Sequence, residues 1–211
     1  AVIPDPPDMR YRSPELLPDK RSSAVLIYMM DVSGSVSGDD KRRFRITNNW
    51  LQRIVGKGYH NLEERFIVHT ELAHEVKGEE FYGTKLSGGT VISSAFDLAQ
   101  KIISEDYDHK EWNVYLFYYS DGDNYKHDND KSFAILGNSL LSDINLFGYA
   151  QCGEGSERFM ERMNFKFNLG SSRGSDIPRR KIRSSLLLDD EDILPTLKVF
   201  LNKDNIPFYS T

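Results

Sequence analysis

The sequence predicts an α/β protein in which helices cover both faces of a mostly parallel sheet, giving three layers. Two strongly apolar runs, residues 24–30 and 112–119, are typical of strands buried on both faces in the middle of a parallel sheet. Each run ends in a polar turn. Strand and helix patterns then alternate along most of the 211 residues, which is the order expected for a three-layer α/β sandwich.

The first half of the chain predicts three strands and two helices. In order they are a strand at 24–30, a helix from 39 or 40 to about 55, strands at 64–70 and 73–76, and a helix at 91–104. We expect Asp39 or Asp40 to cap the first helix, because short polar side chains bond to free N–H groups there. Only a few residues separate the second and third strands, so we expect them to pair as an antiparallel hairpin at one sheet edge.

The second half predicts three further strand and helix pairs. They are a strand at 112–119, a helix at 130–142, a strand at 144–150, a helix at 156–163, a strand at 181–188 and a helix at 189–202. Pro195 must lie in the first turn or two of the last helix, because proline has no N–H to donate. We predict an extended N-terminal arm over residues 1–22, one domain over 23–211, and a loop or insertion at 168–180.

Composition excludes several classes of partner. The net charge of −5 gives no electrostatic reason to bind nucleic acid or an anionic membrane, and the one basic run, residues 179–183, is short. No apolar run approaches the roughly 18 residues of a membrane-spanning helix. The single cysteine, Cys152, excludes an internal disulfide and indicates a reducing compartment, so we expect a cytoplasmic protein.

Three polar turns at the ends of predicted elements carry the candidate site. Their oxygen-bearing side chains are Asp31, Ser33, Ser35, Thr90 and Asp121. Carboxylates and hydroxyls are ligands for hard divalent cations, so the set predicts a site for Mg²⁺ or Mn²⁺ with at least one coordination position open to an acidic ligand. Four neighbours are expected to support the site or contact a partner: Gly34, Gly89, Asp123 and Asn124.

These motifs resemble those of von Willebrand factor A domains. The matching segments are Asp31-Val32-Ser33-Gly34-Ser35, Gly89-Thr90 and Ser120-Asp121-Gly122, in that order. The resemblance implies a Rossmann-like sandwich with a metal-ion-dependent adhesion site, in which Asp31, Ser33, Ser35, Thr90 and Asp121 hold the ion. It also implies that a partner protein supplies an Asp or Glu carboxylate as a further ligand.

A more specific resemblance is to the bacterial YeaH/YhbH family. It is carried by residues 30–35, Glu75-Val76, Phe81, 87–95, 112–115 and 120–124. It covers about residues 8–150 and is weak from 151 onward, and Val36 stands where the family usually has Met. The resemblance implies a cytoplasmic stress or sporulation role beside a PrkA-type serine kinase and a SpoVR-like protein.

Two other chemistries are open. Asp31, Asp121 and Asp123 with Mg²⁺ loosely resemble a haloacid-dehalogenase-type phosphatase, but that chemistry needs a general acid two residues after the nucleophile, where this chain has Ser33. A lysine to steady the phosphate is also not evident at a matching position. His69 and His74 are five residues apart, which suggests a zinc pair, but no third ligand follows at a familiar spacing.

Overall fold

A six-stranded sheet with helices on both faces forms the protein in the computed structural model, which describes residues 23–153, 158–169 and 180–202. The strands are β1 (Ser23–Asp31), β2 (Asn61–His69), β3 (Ala73–Val76), β4 (Trp112–Ser120), β5 (Leu146–Gln151) and β6 (Ile182–Leu186). The helices are α1 (Gly38–Val55), α2 (Gly78–Phe81), α3 (Ile92–Asp106), α4 (Asp128–Ile135), α5 (Leu141–Asp143), α6 (Phe159–Lys166) and α7 (Ile193–Phe200).

The strand order, β3-β2-β1-β4-β5-β6, places β1 in the interior of the sheet beside β4. All neighbouring strands pair in parallel except β2 and β3, which pair antiparallel at one edge. The fold class predicted from the sequence, including the antiparallel edge strand, is therefore confirmed. From β1 the chain crosses to β2 on one side, and β4 then lies on the other, so a crevice opens between the carboxyl ends of β1 and β4.

Strand β1 contributes to both apolar layers, which is why its sequence is apolar without alternation. Val25, Ile27 and Met29 pack on one face of the sheet with residues of α3, α4 and α6. Ala24, Leu26, Tyr28 and Met30 pack on the other face with residues of α1 and α7. Every β1 residue from Ala24 to Asp31 is fully buried, so the strand delivers Asp31 from the interior of the protein.

The cap of α1 differs from the prediction that Asp39 or Asp40 would supply it. Ser37 is the cap, and its hydroxyl accepts a hydrogen bond from the backbone N–H of Asp40 at 3.1 Å. The Asp40 carboxylate in turn accepts from the backbone N–H of Ser37 at 2.8 Å. The two residues form a reciprocal capping box, so the acidic residue acts from the third helical position and not from the cap.

The helix predicted over 130–142 is divided. A π-helical turn, Leu136–Leu140, separates α4 from α5, and Gly137 and Asn138 lie within it. Both residues have low helix propensity, which is consistent with the wider turn. The short helix α2 was not predicted, and β2 begins at Asn61, three residues before its predicted start.

The last helix begins with a 3₁₀ turn, Asp190–Asp192, capped by the side chain of Asp189. Pro195 lies in the first turn of α7, as predicted. The N-terminal arm over 1–22, the predicted helix start at 156 and most of the loop at 168–180 lie outside the described residues.

Gly148 in β5 tests how tightly the sheet packs against α7. A methyl group at this position would lie 2.8 Å from Cδ1 of Phe117 and 3.1 Å from Cδ1 of Phe200. Overpacking of this kind costs about 1–3 kcal/mol, so we expect Gly148→Ala to lower the free energy of unfolding by that amount in a urea titration. Gly38→Ala is the control, because a methyl group there meets nothing within 4 Å. Equal stability of the two variants would contradict the predicted packing.

Candidate metal centre

Asp31 is the central residue of the site. Its carboxylate is fully buried at the end of β1, and its Oδ1 accepts a hydrogen bond from the backbone N–H of Ser33 at 2.8 Å. Its Oδ2 lies 3.4 Å from the hydroxyl of Thr90 and 3.4 Å from the hydroxyl of Ser120. Three separate segments of the chain therefore meet at this one carboxylate.

The two serines of the β1 turn lie beside one another. The hydroxyl oxygens of Ser33 and Ser35 are 3.1 Å apart, and the Ser35 hydroxyl also bonds to the Asp121 carboxylate. Ser33 is buried, whereas Gly34 and Ser35 are exposed. The backbone of Gly34 does not need a positive φ, and a methyl group there would meet nothing within 4 Å. The turn is therefore open to solvent at residue 34, and neither backbone strain nor packing requires a glycine there.

Thr90 is held by contacts of its own backbone. Its carbonyl accepts a hydrogen bond from the backbone N–H of Tyr125 at 3.2 Å. Beside it, a Cβ on Gly89 would fall 2.0 Å from the Tyr125 hydroxyl, so the absence of a side chain at 89 lets the Tyr125 ring lie against the backbone. The neighbouring carboxylate of Glu71 accepts from both the Gly89 N–H, at 3.4 Å, and the Tyr125 hydroxyl, at 3.2 Å.

Asp121 follows β4 and completes the set. Its Oδ1 accepts a hydrogen bond from the backbone N–H of Asp123 at 2.9 Å. Gly122 adopts a φ of +92°, which a residue with a side chain rarely adopts, and its N–H donates to the Ser120 hydroxyl at 3.0 Å. Burial raises the pKa of Asp121, and the nearby Asp31 carboxylate raises it further, despite the hydrogen bonds that it receives.

Asn124 supports the site through α3. Its Oδ1 accepts from the backbone N–H of Ile92 at 3.2 Å, and its amide donates to Asn129 at 2.7 Å. Asp128 acts in the same way, since it accepts from the backbone N–H of Ser93 at 2.9 Å. Burial raises the pKa of Asp128, but hydrogen bonds from Ser93 and Ser132 outweigh this effect, and the pKa is lowered. These contacts fix the start of α3, and with it Thr90.

Three residues near the site were missed from the sequence. Ser120 is the last residue of β4 and Asp128 the first residue of α4, and no spacing in the sequence distinguishes either from other polar residues at the ends of elements. Lys41 lies in the first turn of α1, is only 4% exposed, and donates from its ammonium to the carbonyl of Thr84 at 2.6 Å. The capping box that begins at Ser37 places Lys41 on the inner side of α1. Its partner, the Thr84 carbonyl, is evident only from the structure.

The residues of the site fit a hard divalent cation. Two carboxylates and three hydroxyls converge, and four of these five side chains are buried: Asp31, Ser33, Thr90 and Asp121. Ser33 contacts Ser35, and Ser35 contacts Asp121. Asp31 contacts Thr90 through its side chain and accepts from the backbone N–H of Ser33, so the five residues form one connected set. An all-oxygen donor set with two carboxylates suits Mg²⁺ or Mn²⁺.

Comparison with known proteins identifies the family. The sequence profile described as "Protein of unknown function (DUF444)" matches residues 3–204. The chain belongs to the DUF444 family. The match extends well beyond residue 150, so the sequence resemblance covers more of the chain than the motifs alone indicated.

Curated relatives of this DUF444 chain are UPF0229 proteins of bacteria, the family that includes YeaH and YhbH. One from Clostridium botulinum is 34% identical over 197 residues, which cover 93% of this chain and 48% of the relative. One from Ruminiclostridium cellulolyticum is 35% identical over 200 residues, with the same two coverages. The chain thus spans about half the length of the curated relatives that it matches.

Solved structures similar to the DUF444 chain have the von Willebrand factor A-like fold. One is an aerotolerance-related membrane protein from Bacteroides fragilis, with a TM-score of 0.54, 15% identity, and coverage of 87% of this chain and 98% of that one. Another is the manganese-loaded TRAP protein of Plasmodium vivax, with a TM-score of 0.56, 13% identity, and coverage of 85% and 74%. At these identities the similarity establishes the fold alone. Within the described residues, no helix is long and apolar enough to cross a membrane.

The histidine pair does not form a zinc site in the described part of the DUF444 chain. His69 is buried, and its ring nitrogens lie 3.1 Å from the Tyr118 hydroxyl and 3.2 Å from the Thr70 carbonyl, whereas His74 is exposed on β3. Burial disfavours the charged ring and lowers the pKa of His69. Among the described residues, no three His, Cys, Asp or Glu side chains are grouped to hold a metal. The candidate centre has two carboxylates and takes its other donors from hydroxyls.

The raised pKa of Asp121 predicts a stability cost in the metal-free protein. The folded chain holds the proton of the Asp121 carboxyl group more tightly than the unfolded chain does. The contribution of this group to the free energy of unfolding is therefore greatest below pH 3.8, and it falls as the pH rises through the raised pKa. In the presence of a chelator, we expect Asp121→Asn to be more stable than the wild type at pH 7, and the difference to shrink towards pH 3.

Urea titrations across that pH range measure the difference. Asp39→Asn is the matched control, since the Asp39 side chain is 81% exposed and no comparable gain is expected. An Asp121→Asn protein that gains no stability over the wild type between pH 3 and pH 7 would show that the buried carboxylate is fully compensated within the fold.

Proposed function

We propose that this domain is a metal-dependent protein-interaction module, in which the oxygen cluster around Asp31 holds Mg²⁺, or alternatively Mn²⁺, and a partner protein adds an Asp or Glu carboxylate. The observation that carries the proposal is the convergence of Asp31, Ser33, Ser35, Thr90 and Asp121 from three separate turns. The fold supports it, because the cluster lies at the carboxyl ends of parallel strands beside the crossover point.

The side chains of the cluster lie on two sides of the site in this proposal. The bound ion would supply a Lewis-acidic position for an external oxygen ligand. Asp31 and Thr90 are buried and hold the inner side of the site, while Ser35 is exposed and faces the solvent side. Asp121 bonds to Ser35, so it spans the two sides. The partner is therefore expected to approach over Gly34 and Ser35.

Exposed apolar side chains flank this approach. Leu86 is 40% exposed, and its backbone N–H contacts the Val32 carbonyl of the β1 turn at 3.4 Å. Tyr125 is 42% exposed and bonds to the Thr90 carbonyl on the other side. A central charged contact surrounded by apolar contacts that exclude water is the arrangement of an interaction hot spot.

The family suggests the cellular setting of the proposal. By its resemblance to YeaH and YhbH proteins, the domain would act in the bacterial cytoplasm, in a stress or sporulation pathway. The partner that presents the carboxylate would then be a PrkA-type serine kinase or a SpoVR-like protein. The manganese reported for the structurally similar TRAP protein is compatible with Mn²⁺ as the alternative ion.

A Mg²⁺-dependent phosphatase is the alternative function. The structure adds one buried lysine in the first turn of α1, Lys41, but its ammonium donates to the Thr84 carbonyl. The required general acid is still missing, since Ser33 occupies its position. Turnover of para-nitrophenyl phosphate with Mg²⁺, lost in Asp31→Asn, would support this alternative, and we expect no such turnover.

The proposal predicts that partner capture depends on both the ion and Asp31. In affinity captures from the native cell, we expect a partner that is retained with Mg²⁺ and lost with EDTA. Asp31→Asn should lose the partner even with Mg²⁺, because the amide removes the charge while keeping an oxygen to accept from Ser33. Circular dichroism checks that the variant is folded.

Asp39→Asn is the matched control, as it removes an exposed acidic side chain from the neighbouring helix turn. It should retain the partner. Capture that is equal with EDTA and with Mg²⁺, or equal for Asp31→Asn and Asp39→Asn, would overturn the proposed function.

A further inference from the structure

An apolar groove of about 570 Å³ lies between α1 and α7, and no residue of the candidate metal centre lines it. Its apolar lining consists of Trp50, Ile54, Ile193, Leu194, Leu197 and Leu201. Two of these side chains are largely in water, since Trp50 is 49% exposed and Leu194 is 59% exposed. Grouped exposed apolar side chains mark interaction surfaces, and tryptophan is enriched at such surfaces. We call this surface the α1–α7 groove.

Opposite charges flank the exposed leucine of the α1–α7 groove. Glu191, in the 3₁₀ turn before α7, is exposed on one side of Leu194, and Lys198 is exposed on the other. The spacing of three and then four residues places the three side chains on one face of the helix. The seven residues from Glu191 to Lys198 span roughly 10 Å along the axis, so the two charges do not pair within one chain. The ion pairs of the described residues include neither side chain.

The charges of α1 follow the same direction along the groove. Arg42, near the start of α1, pairs with Asp190, so the two helices begin at the same end. Arg53 in the last turn of α1 and Lys57 just beyond it are therefore at the end nearer Lys198, and both are exposed. The groove thus has an acidic residue without an ion-pair partner at one end, apolar side chains in the middle and basic side chains at the other end.

We propose that the α1–α7 groove is the interface of a symmetric dimer of this chain, in which the two α7 helices are antiparallel and Leu194 lies near the twofold axis. A twofold interface needs a surface that is complementary to itself. An axis through Leu194 places Glu191 of each copy opposite Lys198 of the other copy. It also brings Trp50 and Leu194 of both copies together in the centre. The order of acidic, apolar and basic side chains therefore matches an antiparallel second copy and opposes a parallel one.

This dimer would direct the two candidate metal centres away from one another. α7 follows β6, so it begins at the edge of the sheet where the parallel strands end, which is also the edge that holds Asp31 and Asp121. Antiparallel α7 helices turn these edges in opposite directions. Because the interface uses no residue of the metal centre, dimerisation is independent of the metal and of the proposed protein partner.

Sedimentation equilibrium of the 211-residue chain in EDTA tests the proposal, at concentrations from about 1 to about 200 μM. We expect the measured mass to rise from 24.3 kDa towards twice that value. Leu194→Glu should raise the dissociation constant of the dimer at least tenfold, because it places charges without partners at the centre of the interface. Leu72→Glu is the matched control, since Leu72 is 68% exposed in the turn between β2 and β3, at the other edge of the sheet.

Charge reversal tests the antiparallel pairing. Glu191→Lys and Lys198→Glu should each raise the dissociation constant roughly tenfold, because like charges then lie opposite one another at both ends of the interface. An equimolar mixture of the two variants should dimerise as the wild type does, since each reversed charge meets its complement in the other variant. Circular dichroism checks that every variant is folded.

Each outcome decides one part of the proposal. A wild-type chain that stays at 24.3 kDa over the whole range overturns the dimer, as does a dimer that Leu194→Glu weakens no more than Leu72→Glu does. A wild-type dimer without recovery in the mixture of folded charge variants overturns the antiparallel arrangement. None of these results bears on Mg²⁺-dependent capture, so the proposed function is tested separately.

Discussion

The structure of the site depends on one buried carboxylate, that of Asp31 at the end of a fully buried strand. A carboxylate removed from water is stable only when its oxygens have partners. Ser33 supplies one from its own turn, and Thr90 and Ser120 approach from two other segments. The convergence of three loops is thus required by the burial of Asp31, and the sheet order makes it possible by setting β1 beside β4.

The surroundings hold these loops in place before any ligand arrives. Asn124 and Asp128 occupy the first N–H groups of α3, which would otherwise lack partners, and so fix the helix that follows Thr90. Gly122 turns the chain after β4 in a conformation that suits glycine. A site built on strand ends and a capped helix is rigid on its inner side, while Gly34 and Ser35 remain open on its outer side.

Much of this arrangement was predictable from the sequence, and the rest depended on contacts between distant residues. The apolar runs at 24–30 and 112–119 identify the interior strands because burial on both faces removes any alternation. The turn from Asp31 to Ser35 alone is weak evidence for a site, and the prediction depended on Thr90 and Asp121 also following the ends of predicted elements. Lys41 was not predictable, since a lysine in the first turn of an amphipathic helix is normally exposed, and only its contact with Thr84 shows otherwise. The prediction that Asp39 or Asp40 caps α1 was wrong because Ser37 and Asp40 each bond to the other's backbone N–H. The spacing of the two residues does not show which of them is the cap.

The contrast between Asp121 and Asp128 bears on which carboxylates are structural. Both are buried, and burial alone raises the pKa of each. For Asp128, hydrogen bonds from Ser93 and Ser132 more than offset this effect, so the fold itself satisfies the charge. For Asp121 they do not, and the Asp31 carboxylate adds repulsion. Asp121 is therefore the buried carboxylate that the fold leaves less well compensated, which agrees with the cation that we propose beside it.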